Sequence, residues 1–316
     1  MMAEDNPGIS KPRALSRRDL LKAVPGVITL GAAGWQGRAS AAEAEVVDSH
    51  VHVWKTGEPR FPFPGGKEPK EDASPAMLLE RMKESGVRKA VLVHPIQYLW
   101  DCRYIASVVR SNPTKFIGVC RVDPTSADAP RELTRWTREE RYHGVRLSPH
   151  NPPGTWFSER SLMDPLFKRT AELRVPMCLY FPREFLTPVG EFIERHPNLD
   201  IVLDHLGGVT MEDPESVRKL QALAKHGKVY VKVSNIWTRS RTKEYPFRDT
   251  HDLLKAVYDS YGPRRLLWGS NWPGVDRELG YGKTLSLFRE VPFLTEEDRR
   301  WIFGGTALKL WPFKAA

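Results

Sequence analysis

The sequence is poor in the features that would mark a disulfide-rich, membrane or nucleic-acid-binding protein. Its 316 residues include three cysteines, Cys102, Cys120 and Cys178, an odd number without the spacing of a disulfide framework or a thiolate metal site. No apolar run reaches the roughly 20 residues of a membrane-spanning helix. The net charge of +9 is dispersed, which gives nucleic-acid binding little support and is compatible with a small acidic partner. Nothing in the sequence indicates an oligomeric state.

The first residues have the order of features found in an export signal. Arg17 and Arg18 precede a moderately apolar stretch, 23–34, and small residues follow it at 39–44. This order resembles a twin-arginine signal with an A-x-A cleavage site. We therefore expect residues 1–44 to be a signal peptide and linker, and the mature chain to be exported to the periplasm or beyond. The alternative is a basic tail in which the paired arginines occur by chance.

From residue 46 onward, short β-branched runs alternate with longer amphipathic stretches, which predicts βα units and a parallel sheet. Eight strands are predicted, at residues 46–51, 89–93, 116–121, 144–147, 176–180, 200–203, 229–233 and 265–268. Helices are predicted at residues 75–85, 131–140, 162–173, 189–195, 215–226 and 252–261, and residues 295–312 would form a closing helix and tail.

Eight repeats favour a closed (β/α)₈ TIM barrel of the α/β class over residues 45–316. The alternative is a doubly wound open sheet, but the Gly-x-Gly-x-x-Gly turn with which such a sheet binds a nucleotide is missing after the first strand. Active sites of barrels form at the carboxyl ends of the strands. Polar residues at the predicted strand ends are therefore the candidate site residues.

The first predicted strand ends in two histidines. Since side chains alternate along a strand, Asp48, His50 and His52 are predicted to project to the same side. Two imidazoles that face one space are a common ligand pair for zinc and similar ions. The alternative is a pair of hydrogen-bonded histidines at a barrel mouth.

The sixth predicted strand runs into His205 and a glycine turn. His205 is therefore placed at the mouth, as a third metal ligand or a general acid or base. The alternative is a structural histidine with satisfied hydrogen bonds.

Basic residues also gather at the predicted strand ends, where they would suit an acidic substrate. Guanidinium groups bind carboxylates in a bidentate geometry, so the basic side chains at the strand ends are expected to bind a small anionic substrate. Ser234 shares the phase of the seventh-strand lysine. The basic residues are Arg121, Arg146, Arg183 and Lys232.

Together these strand-end motifs resemble the amidohydrolase-related (amidohydrolase 2) family of the amidohydrolase superfamily. The motifs are VDSHVHVW at the first strand, VDP and GVRL at the third and fourth, VLDHLGG at the sixth, VKVS at the seventh and WGSNWP at the eighth. Within the family, the branch with 2-pyrone-4,6-dicarboxylate lactonase and fuconolactonase is most similar. The resemblance implies a TIM-barrel hydrolase in which His50, His52 and His205 belong to the site.

The chain departs from the family pattern at two positions. Where the family usually has an eighth-strand aspartate that binds metal or activates water, this chain has Asn271, and Tyr180 or Phe181 replaces the fifth-strand histidine of metal-dependent relatives. We therefore expect His50 and His52 to bind at most one divalent metal ion such as Zn²⁺, weakly or not at all, and no other cofactor.

The loss of the aspartate leaves the position of general base open. Asp276, five residues after Asn271, is the replacement that we predict, and Asp48 and Asp204 are the other carboxylates considered.

The favoured hypothesis is a hydrolase in which water attacks a small anionic lactone or ester at the carboxyl-end mouth of the barrel. His205 or a carboxylate would activate that water, and Tyr180 would line the substrate pocket. The alternatives are a decarboxylase or hydratase on the same scaffold, or an exported barrel that binds a ligand without catalysis.

Overall fold

The computed structural model describes residues 45–64, 68–148 and 156–315. The predicted signal segment lies outside the described residues, so export remains a prediction. Within the described part of the chain, no helix combines the length and apolar character needed to cross a membrane.

Eight parallel strands alternate with helices, as the sequence predicts. All eight predicted strands are confirmed, each within a few residues of the predicted bounds. They are β1 (Val47–Val51), β2 (Lys89–Val93), β3 (Phe116–Val119), β4 (Val145–Leu147), β5 (Met177–Leu179), β6 (Ile201–Leu203), β7 (Val229–Lys232) and β8 (Leu266–Leu267).

The strands close into a barrel through two sets of backbone hydrogen bonds. Continuous pairing joins β1 to β3 and β4 to β8. Between β3 and β4, Cys120 N–H donates to Gly144 O (2.9 Å) and Arg146 N–H donates to Cys120 O (2.8 Å). Between β1 and the segment after β8, His52 N–H donates to Trp272 O (2.8 Å). The α/β class and the TIM barrel are thus confirmed.

The helices form the outer layer. The six predicted βα helices are confirmed with bounds that move by a few residues, and the predicted closing helix divides into α10, a π-turn at Trp301–Gly305 and α11. Three helices, α2, α8 and α9, were not predicted. The helices are α1 (Pro75–Glu84), α2 (Arg103–Ser111), α3 (Ala129–Arg138), α4 (Arg160–Leu173), α5 (Leu186–Arg195), α6 (Pro214–Ala222), α7 (His251–Tyr261), α8 (Gly274–Glu278), α9 (Tyr281–Arg289), α10 (Glu296–Arg300) and α11 (Thr306–Leu310).

The apolar core has two layers. One cluster fills the barrel interior and includes Val91, Val93, Val119 and Trp311. A larger cluster lies between the sheet and the helices. The three cysteines are buried and free of disulfides, in agreement with the absence of a cysteine framework. The barrel is therefore a packed scaffold, and polar chemistry is confined to its mouth.

A bulge in β1 decides which of its side chains face the mouth. Val47 belongs to the interior cluster and Val51 to the outer one, and the pairing with β2 shifts between Asp48 and Val51. Asp48 pairs with Ala90, an outer residue, so Asp48 faces the helices while His50 and His52 face inward. The prediction that Asp48 is in phase with the histidines was wrong, because a bulge breaks the two-residue period.

Close backbone contact at the β1–β8 junction requires a glycine. A Cβ on Gly269 would lie 2.9 Å from His50 Cβ and 3.2 Å from His50 N. We expect Gly269→Ala to force the two strands apart and to lower the free energy of unfolding by about 1–3 kcal/mol. Gly227→Ala is the matched control, because a Cβ there would meet no atom within 4 Å. Urea unfolding checks this, and equal stabilities of the two variants would contradict the account of barrel closure.

Candidate active site

The two β1 histidines contact each other at the centre of the mouth. His50 Nε2 lies 3.2 Å from His52 Nε2, and His52 Nδ1 lies 2.7 Å from Val93 O. On its other side, His50 Nδ1 lies 3.1 Å from Lys232 Nζ on β7. Both ring nitrogens of each histidine are thus engaged.

These contacts determine where the protons lie. A carbonyl oxygen only accepts, so His52 Nδ1 carries a hydrogen, and an ammonium only donates, so His50 Nδ1 is an acceptor. His50 Nε2–H therefore donates to His52 Nε2, and both rings are neutral. Burial is the main cause that lowers the pKa of each ring, to about 3 for His52 and well below 6.5 for His50. The direction agrees with the hydrogen-bond assignment.

Asp204 is the carboxylate around which the cations of the site are arranged. It is fully buried directly after β6, where Oδ2 accepts from Arg146 Nε at 2.8 Å. Its Oδ1 lies 3.0 Å from Lys232 Nζ and 3.4 Å from His50 Nδ1. Although burial opposes ionisation, the cations Lys232 and Arg146 hold the pKa of Asp204 well below its usual range. Asp204 is therefore ionised, and its low basicity makes it a poor proton acceptor.

His205 follows Asp204 and has one ring nitrogen available for chemistry. Its Nδ1 lies 2.7 Å from Ser234 Oγ, and its ring centroid lies 4.6 Å from that of His50 and 5.3 Å from that of Tyr180. Nε2 makes no hydrogen bond to a described residue, and the side chain is 5% exposed. Burial, with Arg146 and Lys232 nearby, lowers the pKa of His205 to about 3, so the ring is neutral.

A left-handed turn places His205 in this position. His205, Leu206, Gly207 and Gly208 all have positive φ, from 51° to 74°. A Cβ on Gly208 would lie 2.9 Å from Phe181 O, so only glycine fits there. The two non-glycine residues each cost about 1–2 kcal/mol in this conformation. The glycines of the His-Leu-Gly-Gly sequence thus allow the turn that holds the imidazole in this position.

Two guanidinium groups, those of Arg146 and Arg121, lie at the mouth. Arg146 is held by Asp204 and lies over the Tyr180 ring, with Cζ 4.8 Å from the ring centroid. Arg121, which is 1% exposed after β3, has a Cζ 5.8 Å from the Trp100 ring, and its guanidinium makes no hydrogen bond or ion pair with a described residue. Burial and the neighbouring Arg146 lower the pKa of Arg121 to about 9, so it is still cationic at neutral pH. A buried guanidinium without a counter-ion is a binding group for an anion.

Not every residue predicted for the site reaches it. Asp276 lies on α8, where its carboxylate accepts from Arg81 Nε (3.0 Å), Trp272 Nε1 (2.9 Å) and Tyr281 N (3.1 Å). The structure therefore does not support Asp276 as the base, because its carboxylate is committed to Trp272 and to residues of α1 and α9.

Arg183 also lies away from the buried cluster. Its Nε donates to Asp213 Oδ2 (2.7 Å), and its side chain is 42% exposed. Asn271 is at the mouth, where its N–H donates to His50 O at 2.9 Å and φ is +59°, a value that asparagine tolerates. Its side-chain amide makes no hydrogen bond to a described residue.

Two residues at the mouth were not predicted. Arg239, on a short turn after β7, reaches back to His205 O, with Nη2 3.5 Å away. His94, directly after β2, is fully buried beside Arg121. A strand-end rule applied to β2 would have found His94, whereas Arg239 lies seven residues beyond β7 and gives no such signal.

The donor set does not fit a resident divalent metal ion. The Nε2 atoms of His50 and His52 are 3.2 Å apart. Two imidazole nitrogens that bind one tetrahedral zinc ion are separated by about 3.3 Å, which is a similar distance. However, Lys232 donates to His50 Nδ1, where a metal-bound histidine would itself donate to a carboxylate. The nearby carboxylate of Asp204 is already neutralised by two cations. Among the described residues, no three His, Cys, Asp or Glu side chains form a group that could hold a metal ion.

Comparisons with known proteins agree with the fold. The L-fucono-1,5-lactonase of Burkholderia ambifaria is 28% identical over 275 residues, which are 83% of this chain and 93% of that protein. The 2-pyrone-4,6-dicarboxylate hydrolase of Comamonas testosteroni is 28% identical over 73% of this chain and 77% of that protein. The crystal structure of a protein assigned as a 2-pyrone-4,6-dicarboxylic acid hydrolase, from Pseudomonas putida, has a TM-score of 0.72 at 25% identity and covers 87% of this chain and 100% of that chain.

The family comparison covers most of the barrel. A family model described as Amidohydrolase matches residues 47–313, from the first strand to the residues after α11. The strand-end histidines, the left-handed turn and the buried carboxylate all lie within the matched region. The chain is therefore an enzyme that belongs to the amidohydrolase family.

Proposed function

We propose that this enzyme hydrolyses the lactone ring of a small substrate that carries a carboxylate. The observation that carries the proposal is the buried Arg121 guanidinium, which lacks a counter-ion among the described residues and belongs to the same barrel mouth as the neutral His205 imidazole. Two relatives are named as a lactonase and as a hydrolase of a pyrone dicarboxylate, and both names denote enzymes whose substrates are cyclic esters. These names support ring opening by water over other chemistry.

The charge of the mouth supports an anionic substrate. Asp204 contacts Arg146 and Lys232, so its single negative charge is already shared between two cations. Arg121 and Arg239 add two further positive charges. A substrate carboxylate bound by Arg121 would offset the free-energy cost of burying that guanidinium without a partner. Arg121 would thus anchor the substrate at the β3 side of the mouth.

His205 is the residue that we assign as general base. Its Nε2 is the ring nitrogen that faces the mouth with a free lone pair when Nδ1–H donates to Ser234 Oγ. An anionic substrate would offset the Arg146 and Lys232 charges that lower the pKa of His205, so binding would make the imidazole more basic when water must be deprotonated.

The remaining residues of the mouth would position the reactants. Arg146, oriented by Asp204 and stacked on Tyr180, offers positive charge to the oxyanion that forms on the lactone carbonyl. The Asn271 amide could bind the attacking water through its oxygen. His50, His52 and Lys232 are fully engaged with one another, and they act as positioning residues behind the reacting groups.

We also propose that residues 1–44 direct export by the twin-arginine route. The paired Arg17 and Arg18, the apolar stretch and the small residues support this proposal.

The role of His205 can be tested by substitution. We expect His205→Ala to lower kcat for a carboxylated lactone by about 10²–10⁴-fold, because the attacking water loses its base. Ser234→Ala should lower kcat less, since the imidazole stays present but loses its orientation. The measurement is pH-stat hydrolysis on a lactone panel, with release of CO₂ recorded in parallel to detect a decarboxylase.

The control for this test is Asp276→Asn, which keeps the shape of a side chain that the structure places among the outer helices. Its kcat should stay within about threefold of wild type. Loss of activity in Asp276→Asn with retention in His205→Ala would reverse the assignment of the base. An absence of turnover for every lactone and ester, with ligand-induced thermal stabilisation intact, would favour the non-catalytic binding barrel.

The role of Arg121 can be tested with lactones that differ in charge. We expect Arg121→Gln to lower kcat/KM for a carboxylated lactone by about 10–100-fold, through KM, because a charge-assisted hydrogen bond is lost. The effect on a neutral lactone should be small. Arg183→Gln is the matched control, because Arg183 is half-exposed and paired with Asp213, and it should change neither value by more than about twofold. Equal losses for both substrates would rule out Arg121 as the carboxylate anchor.

A further inference from the structure

His94 holds a buried lone pair in a fixed direction. Its Nε2 lies 3.1 Å from Leu99 O, and a carbonyl can only accept, so Nε2 carries the hydrogen. Burial and the Arg121 charge lower the pKa of His94 to about 3, so the ring is neutral and Nδ1 is an unprotonated acceptor. That nitrogen is buried and has no hydrogen-bond partner among the described residues.

The backbone that fixes this tautomer is strained. Leu99 has φ of 49° and ψ of −110°, a conformation that a leucine rarely adopts, and its side chain is left exposed. The strain turns the Leu99 carbonyl toward the imidazole. This conformation is energetically unfavourable, and the hydrogen bond that it allows keeps the hydrogen of His94 on Nε2 and the lone pair on Nδ1.

A buried donor that also lacks a hydrogen-bond partner in the described part of the chain comes from the neighbouring strand end, and its charge acts on His94. His94 N–H donates to Val119 O on β3 (2.9 Å), and Arg121 follows that residue by two positions, so the two side chains come from neighbouring strand ends. Arg121 Nε is buried and has no hydrogen-bond partner among the described residues. The donor and the acceptor do not satisfy each other, and leaving both unpaired is costly.

A group that accepts from Arg121 Nε and donates to His94 Nδ1 would satisfy both atoms. A carboxylate cannot do this, because it has no hydrogen to donate, whereas a hydroxyl group does both. We propose that His94 and Arg121 together bind a hydroxyl group of the substrate, next to the carboxylate that the outer nitrogens of Arg121 hold. The substrate would then be a lactone with a hydroxyl and a carboxylate on the same carbon.

This inference rests on the proposed function and narrows its substrate class. In an eight-stranded barrel β2 lies opposite β6, so the hydroxy-acid end of the substrate would sit across the mouth from His205. The ring carbonyl would then reach His205 while the other end is held at β2 and β3. Planar pyrones and simple lactones that lack a hydroxyl would leave His94 Nδ1 unpaired and bind less well.

Two lactones that differ by one hydroxyl test the proposal. Hydroxycitric acid lactone carries a hydroxyl on a carboxylate-bearing carbon, and isocitric acid lactone lacks it. We expect a single stereoisomer of the hydroxylated lactone to bind the full chain at least about tenfold more tightly than isocitric acid lactone does. Calorimetry measures both dissociation constants. His94→Leu should abolish this preference, and His94→Asn, which keeps an acceptor near the Nδ1 position, should retain part of it. Thermal unfolding of each variant establishes that it is folded.

The outcomes separate the inference from the proposed function. Equal binding of the two lactones by wild type, or a preference that survives in folded His94→Leu, would overturn the inference. Binding of neither lactone would overturn it as well. Because binding is measured without turnover, a clear hydroxyl preference combined with no hydrolysis of any lactone would uphold the inference and refute the hydrolase proposal.

Discussion

The structure of the mouth depends on one buried ion pair, between Asp204 and Lys232. Both side chains are fully buried, and removing two charges from water is costly unless each finds further partners. Arg146 supplies the second partner of Asp204, and His50 supplies the second partner of Lys232. Four strands, β1, β4, β6 and β7, are thereby connected at the centre of the barrel. Removing one member would leave an uncompensated charge, at a cost of about 3–5 kcal/mol.

The same network sets the chemistry of the histidines. Lys232 donates to His50, His50 donates to His52, and His52 donates to a β2 carbonyl, so the two β1 imidazoles are neutral and have fixed tautomers. The Lys232 ammonium thus contacts the His50 nitrogen that a metal-bound histidine would use to donate to a carboxylate. With the β1 pair committed, His205 is the histidine to which we assign the role of base, and the surplus positive charge of the arginines remains for an anionic substrate.

The fold could be predicted from the sequence because βα alternation and strand-end motifs are local signals. The position of His205 could also be predicted, since the glycines after it indicate a turn at a strand end. The outward orientation of Asp48 could not, because a bulge in β1 leaves no mark in the sequence. Asp276 was placed wrongly because its spacing from Asn271 does not reveal that α8 begins between them. Arg239 reaches the site through a tertiary contact with the turn at His205, which no local pattern encodes.

Nitrogen NMR of the histidines tests the central claim most directly. In protein with ¹⁵N-labelled histidine at about pH 5.5, where an unperturbed imidazole is mostly protonated, long-range ¹H–¹⁵N correlations report the protonated nitrogens of each ring. The account predicts neutral rings for His50, with hydrogen on Nε2, and for His52, with hydrogen on Nδ1. A doubly protonated His50, or a His50 with hydrogen on Nδ1, would contradict it, because Lys232 could then not donate to that nitrogen.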